Sequence, residues 1–175
     1  MINLRVAVLT ISDSCFAGTR DDLSGPAVAA RCRELGHAVV LTEVLPDERT
    51  LISARLLQLS RSDEVDAVFT TGGTGLAARD VTPEATLAVA ERVIDGFGEL
   101  MRAEGVKQTR RAALSRSLGA TLGRIVIVNL PGSVAGALDS LNAIVDLVPH
   151  VAGLLAGRTE HAEPKPADAR GRPDS

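Results

Sequence analysis

Short β-rich runs alternating with longer amphipathic stretches predict an α/β fold, with helices on both faces of a mainly parallel sheet. The run 4–11 (LRVAVLTI) is nearly all apolar and β-branched, as in a strand buried on both faces. Helical spacing i, i+4, i+7 recurs between such runs, at Val28, Cys32 and Leu35 and again at Ile52, Leu56 and Leu59. Each strand then leads into small, polar or glycine residues. In a sheet of this kind those carboxyl-terminal loops share one edge, where ligands bind.

The elements follow in order. Gly36 stops the helix that carries Cys32, and a second strand covers 38–45. Pro46-Asp47 opens the second helix. A third strand, 65–70, ends in Thr71-Gly72-Gly73-Thr74-Gly75. Thr82-Pro83-Glu84 reads as a helix start, with Thr82 as N-cap and Pro83 at the first helical position, and the helix is predicted to run to about Ile94. Residues 96–118 read as helical but broken at Gly96, Gly98 and Gly105. Residues 120–123 read as one short antiparallel strand beside 125–128. After Pro131-Gly132-Ser133 a helix carries Val134, Leu138, Leu141 and Val145 on one face, and 149–157 form a last short helix. From Glu160 the chain is polar and without periodicity. Residues 1–157 are therefore predicted to form one domain and 158–175 a disordered tail.

Composition narrows the function. A chain of 175 residues buries about 70% of its unfolded surface, enough for a core without staples. The net charge of −3 lacks the basic excess of a nucleic-acid binder. Three Phe, with no Tyr or Trp, leave nothing from which to build a base-stacking platform. Two cysteines make neither a disulfide framework nor a metal cluster; Cys32 falls on an apolar stripe and Cys15 in a loop. His37, His150 and His161 are scattered without metal-ligand spacing, and no catalytic histidine is expected. No signal peptide or membrane span is recognised, which points to the cytoplasm.

The sharpest feature is the 71–75 loop. Three glycines in five residues admit positive φ and close backbone approach, and unpaired N–H groups there suit phosphate oxygens; the plain alternative is a tight turn. It matches neither a Walker loop nor a dinucleotide fingerprint. Asp80 follows five residues later. With Thr82 read as the cap, Asp80 is free for another task, and a carboxylate beside phosphates calls for a cation such as Mg²⁺ between them. Asp47 is either the N-cap of its helix or a functional carboxylate. Asp13, after Ser12, is an Asx-turn or a site residue. Ser133 is an N-cap whose helix end also suits an anion.

Taken together, Ser12-Asp13, Asp22-Leu23-Ser24-Gly25-Pro26, Leu45-Pro46-Asp47-Glu48, Thr70 to Gly75, Arg79 to Ala85, Gly96-Phe97-Gly98-Glu99, Leu114-Ser115-Arg116 and Asn129 to Ser133 occur in an order that resembles the molybdopterin adenylyltransferase family, of the MoaB/Mog type shared with a domain of gephyrin. The resemblance covers residues 4 to about 156. It implies a three-layer α/β/α sandwich, a homotrimer and adenylyl transfer from Mg²⁺-ATP to the terminal phosphate of molybdopterin. A partner that inserts molybdate would receive the product. It assigns Asp47 and Asp80 as functional carboxylates and Mg²⁺ ligands. It places Ser12, Asp13, Thr71, Gly72, Gly73, Thr74, Gly75, Phe97, Gly98, Glu99, Ser115, Pro131, Gly132 and Ser133 in the substrate and nucleotide pocket. The chain departs from the family pattern at Val134-Ala135, where Pro-Lys is frequent, and at Leu76, where Pro is common. The first departure leaves a molybdopterin carrier with little transferase activity as the alternative.

Overall fold

The computed structural model describes residues 3–158; all of the predicted tail but Arg158 lies outside them. In chain order the elements are β1 (Arg5–Ile11), α1 (Asp13–Phe16), α2 (Ser24–Glu34), β2 (Ala38–Leu45), α3 (Arg49–Ser60), β3 (Ala67–Thr71), α4 (Thr82–Leu87), β4 (Arg92–Ile94), α5 (Asp95–Gln108), a 3-10 turn (Arg110–Leu114), β5 (Gly119–Leu122), β6 (Ile125–Leu130), α6 (Val134–Asn142) and α7 (Val148–Leu155). The sheet runs β2-β1-β3-β6-β5-β4. β2, β1, β3 and β6 are parallel, whereas β5 is antiparallel to both β6 and β4.

Alternation along β1 explains the three layers. Val6 and Val8 join a core with Val28 and Cys32 of α2, Met101 of α5 and Leu141 of α6. Ala7, Leu9 and Ile11 face the other way, onto Ile52 and Leu56 of α3. Both faces are covered, which is why the strand sequence reads as one apolar run. Cys32 is fully buried, and desolvation pushes its thiol pKa up to about 12, so it is packing rather than chemistry.

Three local readings are corrected. The helix predicted to reach Ile94 stops at Leu87, and Arg92–Ile94 form β4 instead. Val93 and Ile94 are β-branched, and pairing with β5, entered by the Glu91 N–H donating to the Thr121 carbonyl at 2.8 Å, competes successfully with a longer helix. The glycines of 96–105 do not break α5, which is continuous to Gln108. They admit close approach: a Cβ at Gly98 would lie 2.8 Å from the Ser117 carbonyl oxygen, and one at Gly105 2.7 Å from the Ala112 Cβ. Thr82 is not a cap. It is the first residue of α4, and its buried hydroxyl donates to the Gly72 carbonyl at 2.9 Å.

At the amino ends of β1 and β3, Arg5 forks onto Asp66 through Nε (3.1 Å) and Nη2 (2.8 Å). This holds the Asp66 carboxyl below its ordinary range, with Arg158, just past α7, adding to the same field. Residues 5 and 158 therefore stand at the sheet edge opposite the carboxyl ends of the parallel strands.

Candidate functional site

The carboxyl ends of β1, β2, β3 and β6 converge as predicted. Ser12 N–H donates to the Leu45 carbonyl (2.9 Å), Gly72 N–H to Leu130 (3.1 Å), and the Thr71 hydroxyl to Pro131 (2.8 Å). Gly72 and Gly73 have φ of +105° and +65°, where a side chain is strained. A Cβ on Gly72 would also collide with the Ile11 carbonyl. Only glycine lets β3 turn away so close to β1. Among the described residues, the N–H groups of Gly73, Thr74 and Gly75 have no protein acceptor, the condition for receiving anionic oxygens.

Two depressions meet at Gly132 and Ser133. One, of about 490 Å³, is lined by Ser12, Cys15, Asp47, Thr71, Gly72, Gly73 and Asp80, with Arg20, Asp21 and Asp22 on its wall. The other, of about 570 Å³, is walled by Thr74, Gly75, Leu76, Met101, Ala112, Leu114, Ser115, Ala135 and Gly136. The first is acidic and polar, the second mostly apolar. Ser133 caps α6, its Oγ accepting from Gly136 N–H at 3.2 Å.

Asp47 is no helix cap. α3 begins two residues later with Glu48 at the cap position. Asp47 and Asp13 instead exchange bonds: Asp13 N–H donates to Asp47 Oδ2 (2.8 Å) and Asp47 N–H to Asp13 Oδ1 (3.0 Å). Arg79 adds two bonds to Asp13, at 2.9 and 2.8 Å. The consequences are opposite. Arg79 and the Asp47 N–H hold Asp13 below the usual carboxylate range. Burial raises the Asp47 pKa, and the charges of Asp13 and Asp80 add to the rise.

Asp80 is fixed by its own turn: Oδ2 accepts from Ala77 N–H (2.8 Å), and its N–H donates to the Ala77 carbonyl (2.9 Å). Its availability thus stems from this turn and not from a Thr82 cap. Asp47 and Asp80 flank the glycine loop. A Cβ on Gly73 would meet Asp47 Oδ1 at 3.1 Å, and one on Gly75 would meet Asp80 Oδ2 at 2.7 Å. Among the described residues no three His, Cys, Asp or Glu side chains converge into a metal cluster. The donor set nevertheless fits Mg²⁺ held by one or two carboxylates and completed by substrate phosphates and water.

Three residues of the predicted pocket lie apart. Phe97 is 3% exposed, in the core beneath Gly119; Gly98 packs on Ser117; and Glu99 is exposed on α5, lining neither depression. Residue-level reading also missed Arg116, which bonds the Gly75 carbonyl through Nε (2.7 Å), the Asp80 carbonyl through Nη2 (2.6 Å) and Glu84 through Nη1.

The chain is similar to proteins of molybdenum-cofactor synthesis. A family profile described as "Probable molybdopterin binding domain" matches residues 7–150. A molybdopterin adenylyltransferase of Helicobacter pylori is 37% identical over 159 residues, 90% of each chain. One of Escherichia coli is 38% identical over 151 residues, 83% of this chain and 76% of that protein. The crystal structure of the molybdopterin biosynthesis enzyme MoaB of Thermus thermophilus superposes with a TM-score of 0.80 at 41% identity, covering 88% of this chain and 97% of that one.

Proposed function

This chain belongs to the molybdopterin-binding-domain family, of the MoaB/MogA type that serves molybdenum-cofactor biosynthesis, and from that premise we propose that it is a molybdopterin adenylyltransferase. The observation that carries the reading is the pairing of two unlike depressions at one glycine. The apolar one suits a planar heterocycle. The acidic one offers Asp47, Asp80 and the Gly73 N–H to a metal-bound polyphosphate, with the free Thr74 and Gly75 N–H groups on the adjoining wall.

In this reading the terminal phosphate of molybdopterin attacks the α-phosphorus of ATP. A new P–O bond forms, the bond to the β-phosphate oxygen breaks, and pyrophosphate leaves. The nucleophile is already ionised, so no side-chain base is needed; catalysis consists of alignment and charge compensation. Asp47 and Asp80 would hold Mg²⁺, which offsets the negative charge of the phosphates. The N–H groups of Gly73, Thr74 and Gly75 donate to phosphate oxygens from a backbone that glycine alone can hold in this shape.

We also propose a cytoplasmic homotrimer that passes its product to a molybdate-insertion protein. Among the described residues no helix is long and apolar enough to cross a membrane. Val93 on β4, and Leu100 and Val106 on α5, are exposed apolar residues that a second copy would cover.

The test is incubation with molybdopterin and Mg²⁺-ATP, with mass spectrometry for adenylylated molybdopterin. Product is expected; EDTA should abolish it and excess Mg²⁺ restore it. Full activity without metal would contradict the role given to the carboxylates. Molybdopterin binding without product would favour the carrier reading, to which the absence of a cation at Val134-Ala135 lends support.

A further inference from the structure

We propose that Arg116 is the positioning residue for Asp80, its guanidinium filling the 75–80 turn and fixing the face that Asp80 presents to the acidic depression. All its side-chain acceptors belong to one stretch: the Gly75 carbonyl, the Asp80 carbonyl and the Glu84 carboxylate. Its backbone joins the same loop, Arg116 N–H donating to the Thr74 carbonyl at 3.1 Å. The turn is thus bound where it begins and where it ends. Within it, the Asp80 N–H, carbonyl and Oδ2 are all engaged, whereas Oδ1 has no hydrogen bond among the described residues. That leaves one oxygen to face a ligand, from a backbone that cannot rotate.

The anchor is itself anchored. Arg102 of α5 donates Nη1 to the Ser117 carbonyl at 3.0 Å, and Ser115 and Ser117 share a hydroxyl contact at 2.8 Å. Ser115, Leu114 and Met101 wall the apolar depression. One continuous set of bonds therefore runs from that wall, through Arg116, to the carboxylate in the other depression. Glu84 completes the grip. Burial would raise its pKa, but Arg116 outweighs this and leaves it below the ordinary value, so the pair stays charged at neutral pH. A planar five-donor fork meets three acceptors in different directions; an ammonium group on a single stem does not.

The proposal rests on the adenylyl-transfer reading, and two measurements separate the two. In Arg116→Ala, hydrogen exchange at the Ala77 and Asp80 amides should become fast while core amides of β1 and β3 stay protected. Turnover should fall about 10²-fold, as misplacement of a reacting group by about 1 Å costs, with KM for molybdopterin unchanged. In an Asp80→Asn background the same substitution should cost almost nothing more. Arg116→Lys should resemble Arg116→Ala, and it carries the test if the alanine variant does not fold. Unchanged exchange at Ala77 and Asp80, or a full further loss of turnover in the Asp80→Asn background, overturns the proposal. If the wild-type chain makes no adenylylated product, the functional reading fails, and exchange at the two amides still decides whether Arg116 positions Asp80.

Discussion

On one side of Gly132 the cavity wall carries Asp47 and Asp80, carboxylates that accept from backbone N–H groups; on the other side it is made of Leu76, Met101, Ala112 and Leu114. The acidic side has geometry: Asp13 and Asp47 bond each other's backbone, and Asp80 is fixed within its own turn. The apolar side has area. Bonds of the first kind are directional and matter where charge shifts during a reaction, whereas apolar contact is nearly indifferent to direction and holds substrate and transition state alike. The difference suggests a division of labour, with chemistry assigned to one wall and affinity to the other.

Substitutions on the two walls should therefore separate in kind. Asp80→Asn keeps an acceptor for the Ala77 N–H but removes the charge, and single-turnover adenylyl transfer should fall about 10²–10³-fold with Tm near that of wild type. An active Asp80→Asn enzyme would remove the chemistry from the acidic wall. Leu114, 60% exposed at the rim of the other cavity, should behave differently. Covering its side chain is worth about 1–1.5 kcal/mol, so Leu114→Ala should raise KM about tenfold and leave kcat unchanged. A fall in kcat there would merge the two walls into one.

A smaller effect sharpens the contrast within the acidic wall. The pKa of Asp47 in the folded chain lies above its unfolded value of 3.8, chiefly through burial. The folded state holds the extra proton between those two values, so stability falls as pH rises through that window. Asp47→Asn should consequently melt above wild type at pH 7, and the advantage should vanish as pH drops toward 3.8. Asp13 has the opposite sign: its depressed pKa gives stability that is present at neutral pH and lost as pH falls through the folded value. Melting curves at pH 7 and pH 4 read Asp47, and a further curve below pH 3.8 reads Asp13. The smallest effect is predicted for Arg79→Ala. Its pair with Asp13 is about half exposed on both sides, and solvent screening leaves such pairs little effect on stability. A larger loss by urea denaturation would mean that the Arg79 bridge carries the wall rather than trimming it.

Much of the site could be read from the sequence because its signals are local. A buried strand running into Thr71-Gly72-Gly73-Thr74-Gly75 and then Pro83 needs no distant partner to be recognised. What was hidden depends on residues far apart in the chain. Spacing alone left Asp47 open between helix cap and functional carboxylate because its true donor, Asp13, lies 34 residues away. Arg116 showed only as part of the Leu114-Ser115-Arg116 motif, and its role was hidden because its partners precede it by 32 to 41 residues. β4 escaped notice for another reason: three residues are too few for a periodicity to declare itself, and the edge offered by β5 decides their conformation. The glycines of α5 misled because the sequence shows the missing side chain and not the Ser117 carbonyl that needs the space.

The Arg5–Asp66 fork and Arg158 mark the edge of the sheet farthest from the ligand mouth, with β1, a seven-residue strand of about 20 Å, lying between. The domain thus behaves like a cup held by its base. Residues 3 and 158, where the described fold begins and ends, both stand at the underside, so a label, a surface anchor or a neighbouring domain joined at those residues leaves the opening facing outward. Strung in series on one chain, copies of such a domain could each work unobstructed, since the linkers and the substrates approach from opposite poles.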